Sequence, residues 1–344
     1  MIFFLVIIIA IIFYGMQVKE KDRFHTDYCS KKQTATVNAI FSLLIFLSHS
    51  AQYTTLGGPL DEPYLAFRKY IGQIVVASFL LYSGFGIMES INKKGSSYAM
   101  DIPKKRFFRL WYHYAVVVAM FIIVGLIFKR HYELKDILLA FTAYTSVGNS
   151  NWYLFVTFAM YIIIFVSFFV FRKNKYIAVG AVILLTGVFA AVEYKAGMGA
   201  RYYNTIFCFP AGMVFSLLKP YIDKIVMKND TLWSCGFAVL FAAFYIASRH
   251  RGSSFVFNIF AILAVAMIMM INMKVKIENP ILDFFGNHIF SFFILQRIPM
   301  IILSQLGLSK HKYVFIIASF IATVCIAPIF DSLMAKLDSK MYKT

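Results

Sequence analysis

Eleven long apolar segments separated by short loops constrain this chain more than any other feature. Each is roughly 16–24 residues long, which suits a membrane-spanning helix and is too long for a barrel strand. Only 15% of the residues are charged, against about 25% in soluble domains. The pattern predicts an all-α, polytopic integral membrane protein with about ten or eleven transmembrane helices, the first being marginal in length. The segments lie near 2–17, 35–53, 70–91, 111–128, 151–171, 176–193, 203–218, 232–248, 254–273, 282–305 and 313–334.

The distribution of Lys and Arg predicts the orientation. Of the 34 Lys and Arg, 22 lie in one alternating set of loops and 11 in the other. The richer set is expected in the cytoplasm, which puts the N-terminus outside and the C-terminus inside a cell (plasma or inner) membrane. The net charge of +18 is then an orientation signal, and we expect the lipid bilayer as partner and no nucleic acid.

The segment 34–53 carries a histidine, His49, well inside its hydrophobic run. At about 100° per residue, Asn38, Ser42 and His49 fall within roughly 40° of one another on a helix. A polar stripe at membrane depth should face protein or a water-filled cavity. Because histidine transfers protons near neutral pH, His49 is the candidate catalytic residue. The structural alternative is a neutral imidazole that bonds a neighbouring helix. The whole stripe consists of Thr34, Asn38, Ser42, His49 and Gln52.

Two arginines, Arg106 and Arg109, lie one helical turn apart in the basic loop that precedes the fourth apolar segment. Paired guanidinium groups can bind phosphate, as an acyl-CoA or nucleotide donor would need. The alternative is a positive-inside anchor with aromatic neighbours in the interface. In the preceding segment, Gly84 and Gly86 permit close helix packing, and Ser83 can form a hydrogen bond across the gap.

A third arginine, Arg297, lies near the middle of the segment 282–305. An arginine there costs about 2.5–3.5 kcal/mol on insertion scales, so it is not expected to face lipid. Three roles remain open for it: binding an anionic substrate group, stabilising a developing oxyanion, or pairing with an acid such as Glu193.

In this order and spacing, these pieces resemble the acyltransferase 3 family of membrane-bound acyltransferases. The resemblance covers roughly 35–334. It departs from the family pattern at Asn38, which replaces a basic residue, and at Gln296, which replaces a histidine and precedes Arg297. The matching pieces are Phe46-Leu-Ser-His49, Leu80-Leu-Tyr-Ser83-Gly84-Phe85, Arg106 with Arg109, Asn151-Trp152-Tyr153-Leu154 and the segment from Gly286 to Gln296.

The resemblance implies transfer of an acyl group, usually acetyl, from cytoplasmic acyl-CoA to a hydroxyl of an extracytoplasmic glycan or related acceptor. Acetyl-CoA is then a donor substrate, and no permanently bound cofactor or metal is expected. His49 would act as general base or transient acyl carrier. The residues expected to contact substrate or acyl-CoA are Asn38, Ser42, Ser83, Arg106, Arg109, Gln296 and Arg297.

The expected organisation is one membrane domain over 35–334. An extra N-terminal helix and cytoplasmic loop (1–34) precede it, and a cytoplasmic tail (335–344) follows. The alternative function is a polytopic transporter or flippase of a glycan or lipid intermediate. No clear internal repeat favours it. The identity of the acceptor stays open.

Overall fold

The structure is a computed structural model that describes residues 1–342, and 76% of it is helical. The all-α membrane class is confirmed. The helices are α1 Ile2–Phe13, α2 Lys31–Ser50, α3 Glu62–Ile71, α4 Ile74–Lys94, α5 Ser97–Met100, α6 Arg109–Ile127, α7 Leu134–Ala140, α8 Trp152–Val170, α9 Lys175–Lys195, α10 Cys208–Val226, α11 Asp230–Arg249, α12 Ser254–Lys274, α13 Pro280–Asn287, α14 Ile289–Leu295, α15 Arg297–Gln305 and α16 Lys312–Met341. Two short strands, β1 Met16–Val18 and β2 Val275–Ile277, pair antiparallel.

Every apolar segment of the sequence contains a helix. Fewer than ten of the helices in residues 1–342 are long and apolar enough to span a membrane. Within residues 1–342, seven helical segments do so, and the bent pair of α13 with α14–α15 brings the number to eight. The ten or eleven expected spans exceed this number for two reasons. The first helix, α1, has only 12 residues, and α2 and α10 are long but less apolar. For α2, part of the lower hydropathy comes from the stripe residues Asn38, Ser42 and His49.

One expected span, 282–305, is broken at His288, where the axis bends by 71°. The Nδ1 atom of His288 lies 2.5 Å from Oδ2 of Asp331 on α16, which ties the bend to the last helix. A second, smaller break occurs at Gln296. Pro299 explains it, because proline has no N–H to donate to the carbonyl of Leu295. The breaks place Arg297 at the first position of α15 rather than inside a continuous helix.

The core around the site is built by α2, which packs against α4, α13 and α14, and by the close pair of α4 and α10. A Cβ added at Gly84 would lie 2.0 Å from the carbonyl oxygen of Phe209, whereas one added at Gly86 meets nothing within 4 Å. The packing expected for Gly84 is therefore confirmed, and Gly86 faces open space. Of the expected tail, residues 335–341 continue α16, and 343–344 lie outside the described residues.

Candidate functional site

A polar cavity of about 420 Å³ opens beside the end of α2. Its charged or titratable side chains come from four separate parts of the chain, and no carboxylate is among its lining residues in the described part of the chain. Serine and amide side chains form most of the remaining wall. The lining includes His49, Arg130, Arg201 and Arg297, together with the uncharged Gln52, Tyr53, Ser150 and Ser304.

The loop 146–151 forms one wall of the polar cavity, and its own side chains fix its shape. The Asn149 amide donates to the hydroxyl of Tyr114 at 2.8 Å and accepts from the backbone N–H of Val147 at 3.1 Å. Two residues later, the Asn151 amide donates to the carbonyl of Ala143 at 2.7 Å. Ser150 lies between these two anchored asparagines, so its hydroxyl is held in position against His49.

His49, Ser150 and Arg297 form a connected group at the inner end of the polar cavity. The Ser150 Oγ lies 3.5 Å from Nε2 of His49 and accepts a hydrogen bond from Nε of Arg297 at 2.9 Å. Because that oxygen accepts from the guanidinium, its own hydrogen is available to the imidazole. The Nδ1 atom of His49 is buried without a hydrogen-bond partner among residues 1–342.

Two further contacts orient Arg297. Its Nη2 donates to Oε1 of Gln52 at 2.7 Å, and its Nη1 reaches the hydroxyl of Tyr53 at 3.5 Å. The sequence left pairing with Glu193 open, but Arg297 has no acidic partner within the described range. The guanidinium is thus fixed beside the histidine by neutral groups that do not neutralise its charge.

A second cavity, of about 370 Å³, lies along the same helix on the side of Thr34 and Asn38. Arg106 lines it, with Nε and Nη2 donating to the hydroxyl of Tyr98 at 3.1 and 2.9 Å. Asn38 also lines it and accepts a hydrogen bond from the hydroxyl of Ser78 at 3.0 Å. Ser83 and Lys31 add to its polar lining, and most of the remaining wall is apolar or aromatic.

The two cavities approach each other at Phe293. This side chain lines the second cavity, and its ring centroid is 6.3 Å from that of His49, which lines the polar cavity. Tyr153 packs edge-on against Phe293 at 5.7 Å and lines the second cavity too. Its neighbour Trp152 lines the polar cavity. An aromatic layer is therefore what lies between the imidazole and the second cavity.

The structure brings five of the expected site residues to these two cavities. His49 and Arg297 line the polar cavity, whereas Asn38, Ser83 and Arg106 line the second. The polar stripe predicted on α2 therefore runs from one cavity to the other.

The other three expected site residues line neither cavity. Ser42 is fully buried and donates to the carbonyl of Ala39 at 2.8 Å. Gln296 is also buried, and its amide donates to the carbonyl of Phe293 at 2.8 Å.

Arg109 points away from Arg106 and pairs with Asp338 on α16. The segment Pro103–Phe108 is a π-helix, whose i→i+5 hydrogen bonds make a wider turn than an α-helix. Residues three apart then no longer share a face. This wider turn explains why the two guanidinium groups reach different partners.

Sequence reasoning missed Arg130, Arg201 and Ser150. The arginines were counted as loop charges, and only the fold brings their two loops to one cavity. The run Ser146-Val-Gly-Asn-Ser-Asn151 could have indicated Ser150. It is a cluster of polar residues directly before Trp152, in a stretch that resembles the family, and such a cluster is typical of a loop that lines a site. No group of three His, Cys, Asp or Glu within residues 1–342 is arranged to hold a metal ion.

Comparison with known proteins gives one positive result. No curated protein and no solved structure matches the chain. The family model for the acyltransferase domain of the acyltransferase 3 family matches residues 37–331. This range contains most of α2, the whole lining of the polar cavity, most of the lining of the second cavity, and the bent helix pair. The chain therefore belongs to the acyltransferase 3 family.

Proposed function

We propose that this membrane acyltransferase is an O-acyltransferase that moves an acyl group, with acetyl as first candidate, from acyl-CoA to a hydroxyl of an extracytoplasmic glycan or related acceptor. One observation carries the proposal. The imidazole of His49 faces a polar cavity beside Ser150 and Arg297. Other polar residues of the same helix line a second cavity, which approaches the first at Phe293.

The second cavity is the proposed donor site. Its mixed apolar and polar wall suits a narrow acyl-thioester arm, and the guanidinium of Arg106 with the ammonium of Lys31 provides charge for phosphate groups. Both residues belong to the loops that are richer in Lys and Arg, where the positive-inside rule places the cytoplasm. Arg109 would contribute only after exchanging Asp338 for a phosphate.

The polar cavity is the proposed acceptor site. The Nε2 atom of His49 takes the proton of the acceptor hydroxyl, whose oxygen then attacks the thioester carbonyl. The C–S bond breaks, CoA leaves as thiolate, and the imidazolium returns the proton to that sulfur. In the covalent version, the imidazole nitrogen attacks the thioester carbonyl, and the C–S bond breaks as CoA leaves as thiolate. The acceptor hydroxyl then attacks the acyl-imidazole, the N–acyl bond breaks, and the hydroxyl proton passes to the thiolate. In either version Arg297 stabilises the developing oxyanion.

The test uses protein purified in detergent with labelled acetyl-CoA and a soluble glycan acceptor. His49→Ala should lower the transfer rate at least about 100-fold, as expected for loss of a general base. His250→Ala is the matched control, because His250 is exposed and lines neither cavity. Transfer in detergent needs no membrane gradient, which separates this function from transport. A His49→Ala variant as fast as wild type would refute the assignment.

A further inference from the structure

We propose that the acceptor bound in the polar cavity is itself an anion: a hydroxyl-bearing glycan unit that carries a carboxylate or phosphate group, recognised by Arg130 and Arg201. The inference rests on the proposed function and adds the chemical class of its acceptor. Three guanidinium groups, from Arg130, Arg201 and Arg297, line the cavity, and no acidic side chain lines it in the part of the chain that the structure describes.

The three cavity arginines differ from two buried or half-buried lysines that have acidic partners. Lys312 pairs with Asp61, and Lys274 pairs with Asp230. None of the three cavity arginines forms an ion pair with any residue in 1–342. Like charges gathered in one concave site repel each other and attract a counter-ion. A bound anion would remove this repulsion.

The three arginines divide into two roles. Hydrogen bonds to Ser150, Gln52 and Tyr53 fix Arg297 beside the histidine. The side chains of Arg130 and Arg201 are exposed, and neither donates a hydrogen bond within the described chain. Their donors are therefore available to a ligand.

The surroundings of this pair keep it beside the cavity. The guanidinium of Arg201 stacks over the ring of Tyr202 at 5.5 Å. Nη1 of Arg130 lies 3.4 Å from the position that a Cβ of Gly148 would take, so this guanidinium packs against the loop 146–151. Planar guanidinium groups bind carboxylate and phosphate in a bidentate way. The arrangement can hold the anionic group of an acceptor whose hydroxyl reaches His49.

The phosphates of CoA are the competing anion for this cavity. The distribution of charge argues against them. Arg130 and Arg201 lie in the loops poorer in Lys and Arg, and Arg106 lies in the richer set. A positive-inside bias explains cations in the richer set but leaves those around the polar cavity unexplained. An extracytoplasmic anion explains them.

The experiment compares two acceptors that differ only at C6: p-nitrophenyl glucoside, which is neutral, and p-nitrophenyl glucuronide, which is a carboxylate. Glucose and glucose 6-phosphate form the corresponding phosphate arm. Wild-type protein in detergent, saturated with acetyl-CoA, should show the lower KM for the anionic member of each pair. The Arg130→Gln/Arg201→Gln double variant should raise that KM about tenfold to 100-fold, the size expected for loss of charge-assisted hydrogen bonds.

The same variant should change the KM for acetyl-CoA and for the neutral acceptors less than about twofold, since neither depends on the lost charges. The neutral acceptors also control for misfolding. Arg249→Gln removes an exposed arginine from the same set of loops but not from either cavity, and should behave as wild type. A KM that is equal for both members of each pair overturns the inference. So does a double variant that raises the KM for acetyl-CoA, which would place the donor phosphates here.

Binding without turnover separates this inference from the proposed function. Glucuronate, without acetyl-CoA, should raise the unfolding temperature of wild type but not of the double variant, and equimolar glucose should raise neither. If no acceptor is acetylated while glucuronate still stabilises wild type alone, the O-acyltransferase function fails and the anion site stands. If glucuronate and glucose 6-phosphate leave both proteins unchanged, the anion site fails.

Discussion

Ser150→Ala tests the link between His49 and Arg297 directly. The hydroxyl of Ser150 contacts both side chains: its oxygen accepts from Nε of Arg297 at 2.9 Å and lies 3.5 Å from Nε2 of His49. The substitution removes this oxygen and changes little else, because the loop is held by the neighbouring asparagines. We expect the chemical step to slow and the loop to keep its shape.

The size of the effect follows from the contact that is lost. A hydrogen bond to a charged group contributes about 1.5–3 kcal/mol. If Arg297 holds the oxyanion in place through this bond, the same energy raises the activation barrier, and kcat should fall about tenfold to 150-fold. The KM for acetyl-CoA should stay within about twofold, because Ser150 does not line the proposed donor cavity. Ser150→Thr keeps the hydroxyl and should recover most of the rate.

Steady-state kinetics with labelled acetyl-CoA measure both constants. Ser304→Ala is the matched control, because Ser304 lines the same cavity and forms its side-chain hydrogen bond with Ser309 at 3.4 Å. Thermal unfolding of each variant reveals any structural damage. A Ser150→Ala variant with wild-type kcat, or with a loss matched by Ser304→Ala, would refute the role given to this hydroxyl.

Two further predictions concern the aromatic layer and a buried ion pair. Phe293→Ala should open the layer to water and raise hydrolysis of acetyl-CoA in the absence of acceptor, measured as free thiol; an unchanged hydrolysis rate contradicts a separating role. Lys312→Ala should lower stability by about 1–3 kcal/mol, because it removes a hydrogen bond to a buried carboxylate, whereas the exposed Lys310→Ala should not. Burial of Asp61 by itself raises its pKa, but hydrogen bonds from Lys312 and the Met1 amino group outweigh it and hold the pKa well below the ordinary value. The Asp61 carboxylate therefore stabilises the folded protein fully above about pH 4, the pKa of this carboxyl in the unfolded chain. This stabilisation is lost as the pH falls towards the lower pKa of Asp61 in the folded protein. The wild-type unfolding temperature should fall more steeply with acid than that of Lys312→Ala.

The fold class could be read from the sequence because length and hydropathy act locally. Each apolar segment forms its helix whatever surrounds it. The bend at His288 could not be predicted in this way, since the contact that marks it comes from Asp331, 43 residues later. The number of spans was also harder to read. The polar residues of α2, which include those that line the cavities, lower its mean hydropathy below the value that identifies a membrane span.

In the candidate site, too, local relations could be predicted from the sequence, whereas long-range contacts could not. Helical periodicity correctly placed His49 and Asn38 on one stripe of α2, because that relation needs only the residues between them. The same periodicity predicted that Arg109 shares a face with Arg106, but the chain forms a π-helix before Arg109, so the two side chains reach different partners. Arg130 and Arg201 come from loops that are 71 positions apart in sequence, and no local pattern connects them. Their convergence is a property of tertiary structure alone.

The geometry of α2 limits what must move for the reaction to occur. Asn38 and His49 are eleven positions apart, a rise of about 16 Å along a helix, and each lies at a different cavity. Charged groups are available at both ends, Arg106 at one and Arg130 with Arg201 at the other, while Phe293 lies between. A transporter would have to carry a charged substrate through that apolar layer, at the cost of desolvating it. An acyltransferase needs only the neutral thioester arm to pass, so that the phosphates stay at one end and the anionic acceptor at the other. The separation of charge by an aromatic layer therefore suits group transfer better than translocation.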